Sequence, residues 1–378
     1  MDSSPRSLAS HFARLTDPRS PEKVRHKLLD LVILAVLAAL AGADAWTEVE
    51  TFAEDQEDWL RTFLELPGGI PSHDTLGRVF SRIDAKAFTE CFLTWVQAIR
   101  PILPRDVVAL DGKTLRRSFD TASEKSALHM VSAFSHGSGL VLGQRAVDSK
   151  SNEITAIPEL LKMLDLKGCI VTIDAMGCQK TIASEIVKRK ADYVLALKGN
   201  QGQMSEEVAE YFRWAREEKF RGLPHSYAET TEKDHGRIEI RRVWATEDLD
   251  WLPGKKEWKG LKSAVLVESE RIEGEKRSLD QRIYISSLPG SDAEGLGAIV
   301  RGHWSIENRL HWVLDVSLRE DQSRIRKGSA PEAAAILRHI VLNLLRMDPK
   351  PRGSIKSRRI RAAGVPTYRL QAIMGFPG

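Results

Sequence analysis

The feature that most constrains this chain is a change of hydrophobic period near residue 105. Upstream, apolar residues recur at helical spacing; downstream they gather into short β-branched runs. The first runs are Val107 to Leu110, Leu128 to Ser135 and Leu140 to Val147, with the turn His136-Gly137-Ser138-Gly139 joining the last two. A helix is expected from about Thr155, with Pro158 in its first turn and Ile157, Leu160, Leu161 and Leu164 on one face. The strand Ile170 to Ile173, a helix from about Gln179 to Lys190 and the strand Asp192 to Leu197 complete the order β-β-β-α-β-α-β.

A three-strand meander followed by two αβ units predicts an α/β fold with a ribonuclease-H-like mixed sheet, its first and fourth strands adjacent. Both strands end on an acid, Asp111 after Val107-Val108-Ala109-Leu110 and Asp174 after Ile170-Val171-Thr172-Ile173. Charge at the end of a buried strand is costly unless paired, and a divalent cation is the strongest partner. A third acid is expected from a helix over Asp292 to Glu320, whose apolar arc carries Ile306, Leu310, Val313 and Leu314. Glu307 lies at the edge of that arc beside His303 and His311; Asp315, Glu320 and Asp321 are rival acids, with Asp315 further from the arc.

The rest of the chain divides around this core. Residues 1 to 104 read as an all-α N-terminal domain: the Leu31 run, Trp46 to Leu64, a helix capped by Ser72, and Ala85 to Ile99, closed by Pro101 and Pro104. Residues 105 to 203 form the first part of the core. Residues 204 to 290 read as a β-rich insertion, with a charged helix (205 to 219) and strands at 238 to 244, 263 to 267 and 282 to 287. Residues 291 to 348 return to the core with the third acid, and 349 to 378 form a basic C-terminal tail.

Leu31 to Ala43 is too short to span a bilayer and reads as a buried helix, so no membrane role is expected. Cys91, Cys169 and Cys178 have neither zinc nor disulfide spacing, which fits a reducing cytoplasm. Lys and Arg total 56 against 52 Asp and Glu, a net charge of +4 too small by itself to imply nucleic acid. The bases cluster late, at Arg324, Arg326 and Lys327, then Lys350, Arg352, Lys356, Arg358, Arg359 and Arg361, a solvated face or a phosphate-binding tail.

Four segments together carry a family resemblance: Asp-Gly-Lys-Thr-Leu-Arg-Arg-Ser (111 to 118), Asp174-Ala-Met-Gly-Cys-Gln179, Leu197-Lys-Gly-Asn-Gln201, and His303-Trp-Ser-Ile-Glu-Asn-Arg-Leu-His-Trp312. They resemble the H-repeat-associated (Rhs-element-associated) insertion-sequence transposases of the DDE class. Pro71-Ser-His-Asp-Thr75 and His11-Phe12 with Asp17-Pro18-Arg19 resemble the helical domain that precedes the catalytic domain there. The resemblance implies Asp111, Asp174 and Glu307 as the catalytic, metal-binding triad. It also implies Mg²⁺, with Mn²⁺ able to substitute, and DNA as partner, with a homodimer or larger assembly pairing the element ends. A related signature would place Tyr, Arg, Glu and Lys at 300, 303, 307 and 314; here they are Val300, His303, Glu307 and Leu314, which leaves His303, Arg301 or Arg309 to contact phosphate.

Two hard cations on oxygen ligands suit cleavage of a phosphodiester and transfer of the freed 3′-OH as in-line displacements. Expected DNA contacts are Lys113, Arg116, Arg117, Lys198, Asn200, Gln201, Arg237, Arg301, His303, Trp304 and Arg309. Each also has a plainer reading: solvated loop charges at 113 to 117, and packing residues at Trp244, Trp251 and Trp258. His311 reads as a proton carrier or a packed helical residue. The rival functions are a nuclease without strand transfer and a DNA-binding regulator with a decayed site.

Overall fold

In the computed structural model, residues 4–100, 103–120, 126–147, 152–234 and 236–376 are described; Pro101 and His235 lie outside them. The N-terminal helices are α1 (Leu8–Phe12), α2 (Leu28–Ala41), α3 (Trp46–Asp55), α4 (Glu57–Leu60), α5 (His73–Phe80) and α6 (Ala85–Ile99). Ser72 caps α5 by accepting the Thr75 N–H at 3.3 Å. The expected 46 to 64 helix breaks at Gln56 into α3 and α4. The Leu31 run is α2, buried on nearly every side, and among the described residues no single helix is long and apolar enough to cross a membrane.

The core strands are β1 (Val107–Thr114), β2 (His129–Ser135), β3 (Val141–Ala146), β4 (Ile170–Ile173) and β5 (Asp192–Leu197), with α7 (Glu153–Met163) and α8 (Lys180–Lys188) between the last three. Their order is β3-β2-β1-β4-β5. β1, β4 and β5 run parallel, and β2 and β3 are antiparallel to their neighbours. This is the ribonuclease-H-like arrangement expected from the element order. β4 and β1 are buried on both faces because helices cover both, so their sequences read as unbroken apolar runs.

After α9 (Gly202–Glu217) come four long strands, β6 (Ser226–Asp234), β7 (Arg237–Thr246), β8 (Ser263–Glu273) and β9 (Lys276–Ser286). They extend the same sheet: β9 pairs antiparallel with β5, giving nine strands in the order β3-β2-β1-β4-β5-β9-β8-β7-β6. The sequence expectation omitted β6 and stopped β8 at Val267. The missing lengths are charged, and their pairing is carried by cross-strand ladders such as Arg242 with Glu229, Glu268 and Glu270. The tryptophans of this region pack: Trp258 is buried, and Trp251 stacks on Tyr211 with centroids 4.7 Å apart.

α10 (Ala293–His303) lies across β1, β4, β6, β7 and β8, over an apolar cluster that includes Ile170, Val194, Val243, Leu296 and Ile299. The chain then makes one π turn, Ile306–His311, in which the Trp312 N–H reaches the Glu307 carbonyl five residues back. It continues as α11 (Trp312–Ser317), α12 (Ala330–Arg346), α13 (Ile355–Gly364) and α14 (Pro366–Met374). Residues expected as a basic tail are thus two packed helices touching α2 and α12. Buried Arg359 donates to the Ala39 and Ser317 carbonyls and to Asp44, and buried Arg369 to the Ala362 carbonyl and Gln56, so these arginines are spent inside the protein.

Candidate active site

The parallel register of β1 and β4 ends at Leu110 opposite Ile173, so the next residue on each strand is an acid, Asp111 and Asp174. β1 itself continues to Thr114 against β2, with Asp111 opposite Ser132. Asp111 therefore sits within a strand rather than at its end, with one flank exposed where β4 stops. Gly112 follows because a Cβ there would collide with the His129–Glu153 pair, whose Nε2 and Oε1 are 2.6 Å apart. Asp174 opens the loop to α8, and its Oδ1 accepts the Met176 and Gly177 N–H groups at 3.1 and 3.3 Å. Gly177 is required because a Cβ would strike Ile173.

The π turn delivers the third acid. Glu307 and His311 face Asp111, with His311 Nδ1 3.4 Å from both Asp111 Oδ2 and Glu307 Oε2. One ligand atom from each of these three residues lies within 4.8 Å of the others. Burial, and then the Glu307 carboxylate, push the Asp111 carboxyl up to about 8; Asp174 adds to the rise. Glu307, half exposed, is held at about 2, mainly by its hydrogen bond to His311. Asp111 and Glu307 face one another, and Asp174 acts on Asp111 through its charge; a divalent cation relieves repulsion of this kind.

Asp315 and Glu320, two of the rival acids, are occupied elsewhere. Lys113, two residues beyond Asp111, places its ammonium against Asp315 and 2.7 Å from Glu320, with only 13% of its side chain exposed. Lys113, expected among the DNA contacts, is held by both acids inside the folded chain. Asp321 pairs with Arg116. These assignments leave Glu307 as the acid facing Asp111.

Other expected DNA contacts also carry internal work. Asn200 donates to the Ala175 carbonyl at 2.5 Å and Gln201 to the Cys178 carbonyl at 2.9 Å, so both brace the loop that holds Asp174. His303, its protonated form disfavoured chiefly by burial, makes a 3.0 Å bond between Nδ1 and the Thr172 hydroxyl. Arg309 donates to the His136 carbonyl and lies over Phe134, steadying the β2–β3 turn. Arg301 pairs with Glu232, and Arg237 with Glu239 at 2.9 Å. Trp304 is 43% exposed with Arg282 stacked on its ring at 4.7 Å. Arg116, Arg117 and Lys198 are exposed.

A cavity of about 420 Å³ is lined by Asp174, Lys198, Arg282, Tyr284 and His303. A groove of about 1000 Å³, which shares Arg282 and Tyr284 with it, runs between α10 and the β6–β9 face and is lined by Arg237, Arg241, Arg301 and Trp304 together with Glu232, Glu239, Glu270 and Asp280. Of the three acids, Asp174 alone lines either cavity.

A family model described as the transposase DDE domain matches residues 102–344, and one described as DDE_Tnp_1-associated matches residues 9–96. The chain belongs to the DDE transposase family. Among curated DDE relatives, the putative transposase YncI of Escherichia coli O157:H7 is 44% identical over 94% of this chain and 92% of its own length. The H repeat-associated putative transposase YhhI of Escherichia coli K12 is 40% identical over 99% of each. The resemblance to the H-repeat-associated group is thereby borne out. A looser likeness in shape, TM-score 0.41 at 11% identity over 97% of this chain and 77% of the other, is to piggyBac transposase in a synaptic complex with hairpin DNA. A DDE transposase uses divalent metal and acts on DNA. Sequence reasoning gave little weight to His311, which the structure brings to Asp111 and Glu307; its signal was the four-residue spacing from Glu307.

Proposed function

We propose that this chain cleaves insertion-sequence ends and joins them to target DNA, with Asp111, Asp174 and Glu307 as the metal-binding catalytic acids. Asp111 and Asp174 in adjacent register, with Glu307 brought to Asp111 by the π turn, carry this reading. The donor set of three carboxylates fits Mg²⁺, with Mn²⁺ able to substitute. Cations bound there would lower the cost of forming the attacking hydroxide and of charge on the departing 3′ oxygen.

The protein's own contribution is placement. β1 and β4 fix two acids on a rigid sheet, while half-exposed Glu307 stands at the rim where a phosphate arrives. In cleavage a water oxygen bonds to phosphorus as the P–O3′ bond breaks; in transfer the freed 3′-OH loses its proton, attacks a target phosphate and displaces that strand's 3′ oxygen. Arg237, Arg301, Lys198 and Trp304 border the cavities that would hold the DNA, with Arg116 and Arg117 as flanking backbone contacts.

We further assign residues 1 to 104 to a helical transposase-associated domain and 105 to 348 to catalysis interrupted by the 204 to 290 strands. The active form is assigned as a homodimer or larger that pairs two ends. The free cysteines fit a cytoplasmic setting. Nicking of a plasmid carrying the native element ends tests the proposal. Metal-dependent cuts at the ends, lost in Asp174→Asn and Glu307→Gln, are expected. Cuts that survive Glu307→Gln overturn its role, and cleavage without joined product points to a nuclease.

A further inference from the structure

We infer that His311 is itself a metal ligand, so that one cation position in this site is Asp111, Glu307 and the His311 Nδ1, a nitrogen-containing set that favours Mn²⁺ over Mg²⁺. The inference rests on the acid site being a divalent-metal site, as proposed above.

The His311 Nδ1 has a long hydrogen bond to Glu307 and stands equally far from Asp111, so it is committed to neither carboxylate. A charge-assisted N–H···O contact closes to about 2.7–2.9 Å, as Lys113 does with Glu320 at 2.7 Å in the neighbouring cluster. The His311 Nδ1 instead stands off at 3.4 Å from two carboxylate oxygens at once. A single ring proton cannot point along both lines. Adjacent donors on an octahedral ion with bonds near 2.1 Å are about 3.0 Å apart, so a small inward shift brings all three atoms to coordination distance.

The ring is placed for that shift to be local. His311 is 7% exposed, while Glu307 is half exposed, so the imidazole forms the inner wall of the site and the carboxylate its movable rim. Its Nε2 is buried without a hydrogen-bond partner, as is the Nδ1 of His339 in α12. A ring whose Nδ1 binds a cation keeps its one proton on Nε2, the atom directed away from the acids. Imidazole nitrogen suits first-row transition ions better than Mg²⁺, which prefers oxygen and retained water.

The test is Mn²⁺ titration of the full chain with pulsed electron paramagnetic resonance, which detects nitrogen bonded to the ion. Wild type grown with ¹⁵N-histidine should change the nitrogen modulation, identifying histidine without any substitution. His311→Gln should abolish the modulation and lower Mn²⁺ affinity about tenfold relative to Mg²⁺, the low end of losses at metal-site residues. Mn²⁺ that binds and is lost in Asp111→Asn, yet shows no nitrogen modulation, overturns the inference and leaves the proposed acids standing. Modulation persisting in a folded His311→Gln assigns the nitrogen to another histidine and overturns it equally. Absence of Mn²⁺ binding in wild type overturns both this inference and the metal site beneath it.

Discussion

Asp111 and Lys113 lie two residues apart on one face of β1, and each gathers acids from the chain beyond α10. At Lys113 the protein supplies its own cation: burial opposes the ammonium, but Glu320 and Asp315 outweigh it and hold it above its ordinary range. At Asp111 burial, and then the Glu307 carboxylate, raise the carboxyl instead. The Lys113 cluster holds its own cation in the folded chain, whereas on the function proposed above the Asp111 cluster would take its cation from solution, although the two are built on neighbouring positions of one strand.

The contrast is most directly broken by neutralising one member of each. Asp111→Asn should reduce strand cleavage by at least ~10²–10³-fold, the range for losing one group that stabilises transition-state charge, as read by plasmid nicking at saturating metal. Unimpaired cleavage would remove Asp111 from the site. Lys113→Met should cost about 3–5 kcal/mol of stability by leaving Glu320 buried, and Asp315 beside it, without a cation. Urea denaturation would show it, and an unchanged midpoint would mean the ammonium is not needed where the structure puts it.

A third measurement separates the clusters by pH. The folded Asp111 carboxyl titrates at about 8 against 3.8 ordinarily, so folding favours its protonated form. Its contribution is therefore most favourable below about pH 4 and is lost as pH rises toward 8, by a few kcal/mol at most. Glu307 has the opposite sign: its stabilisation is present above pH 4.5 and fades as pH falls toward 2. Metal-free stability should thus decline between pH 4 and 8, and saturating Mn²⁺ or Mg²⁺ should flatten that decline. A metal-free profile already flat in Asp111→Asn and sloped in wild type would tie the slope to this carboxyl. The smallest effect is expected at Arg116, whose pair with Asp321 is exposed. Arg116→Ala should change stability by under about 1 kcal/mol and lower the salt slope of DNA binding by about one.

How much of this was legible in sequence follows from what sets each element. β4 and β5 fall on their expected residues because buried parallel strands are written as continuous apolar runs. The adjacency of Asp111 and Asp174 followed from topology alone. Helical projection put Glu307 beside His311, as found, but saw no π turn, since nothing in Ile306–His311 resembles a proline or glycine break. Nor could it see Lys113 between Asp315 and Glu320, more than two hundred residues away. The hold of Asn200 and Gln201 on the Asp174 loop was not legible either, because the carbonyls they bond come from a different loop. Strand β6 was missed, and β7 to β9 were truncated, where charge ladders replace apolar alternation.

The π turn acts as a phase setter for everything beyond it. Each residue of an α-helix advances the side chain by about 100°, so removing one residue between Ile306 and His311 would rotate α11 by that amount against the sheet. Asp315 would swing away from Lys113 in the same movement that parts His311 from Glu307. A side-chain exchange at Glu307 or His311 acts on one cluster alone, but the count of residues in this stretch is a shared setting for both, and the two cannot be retuned independently by changing its length.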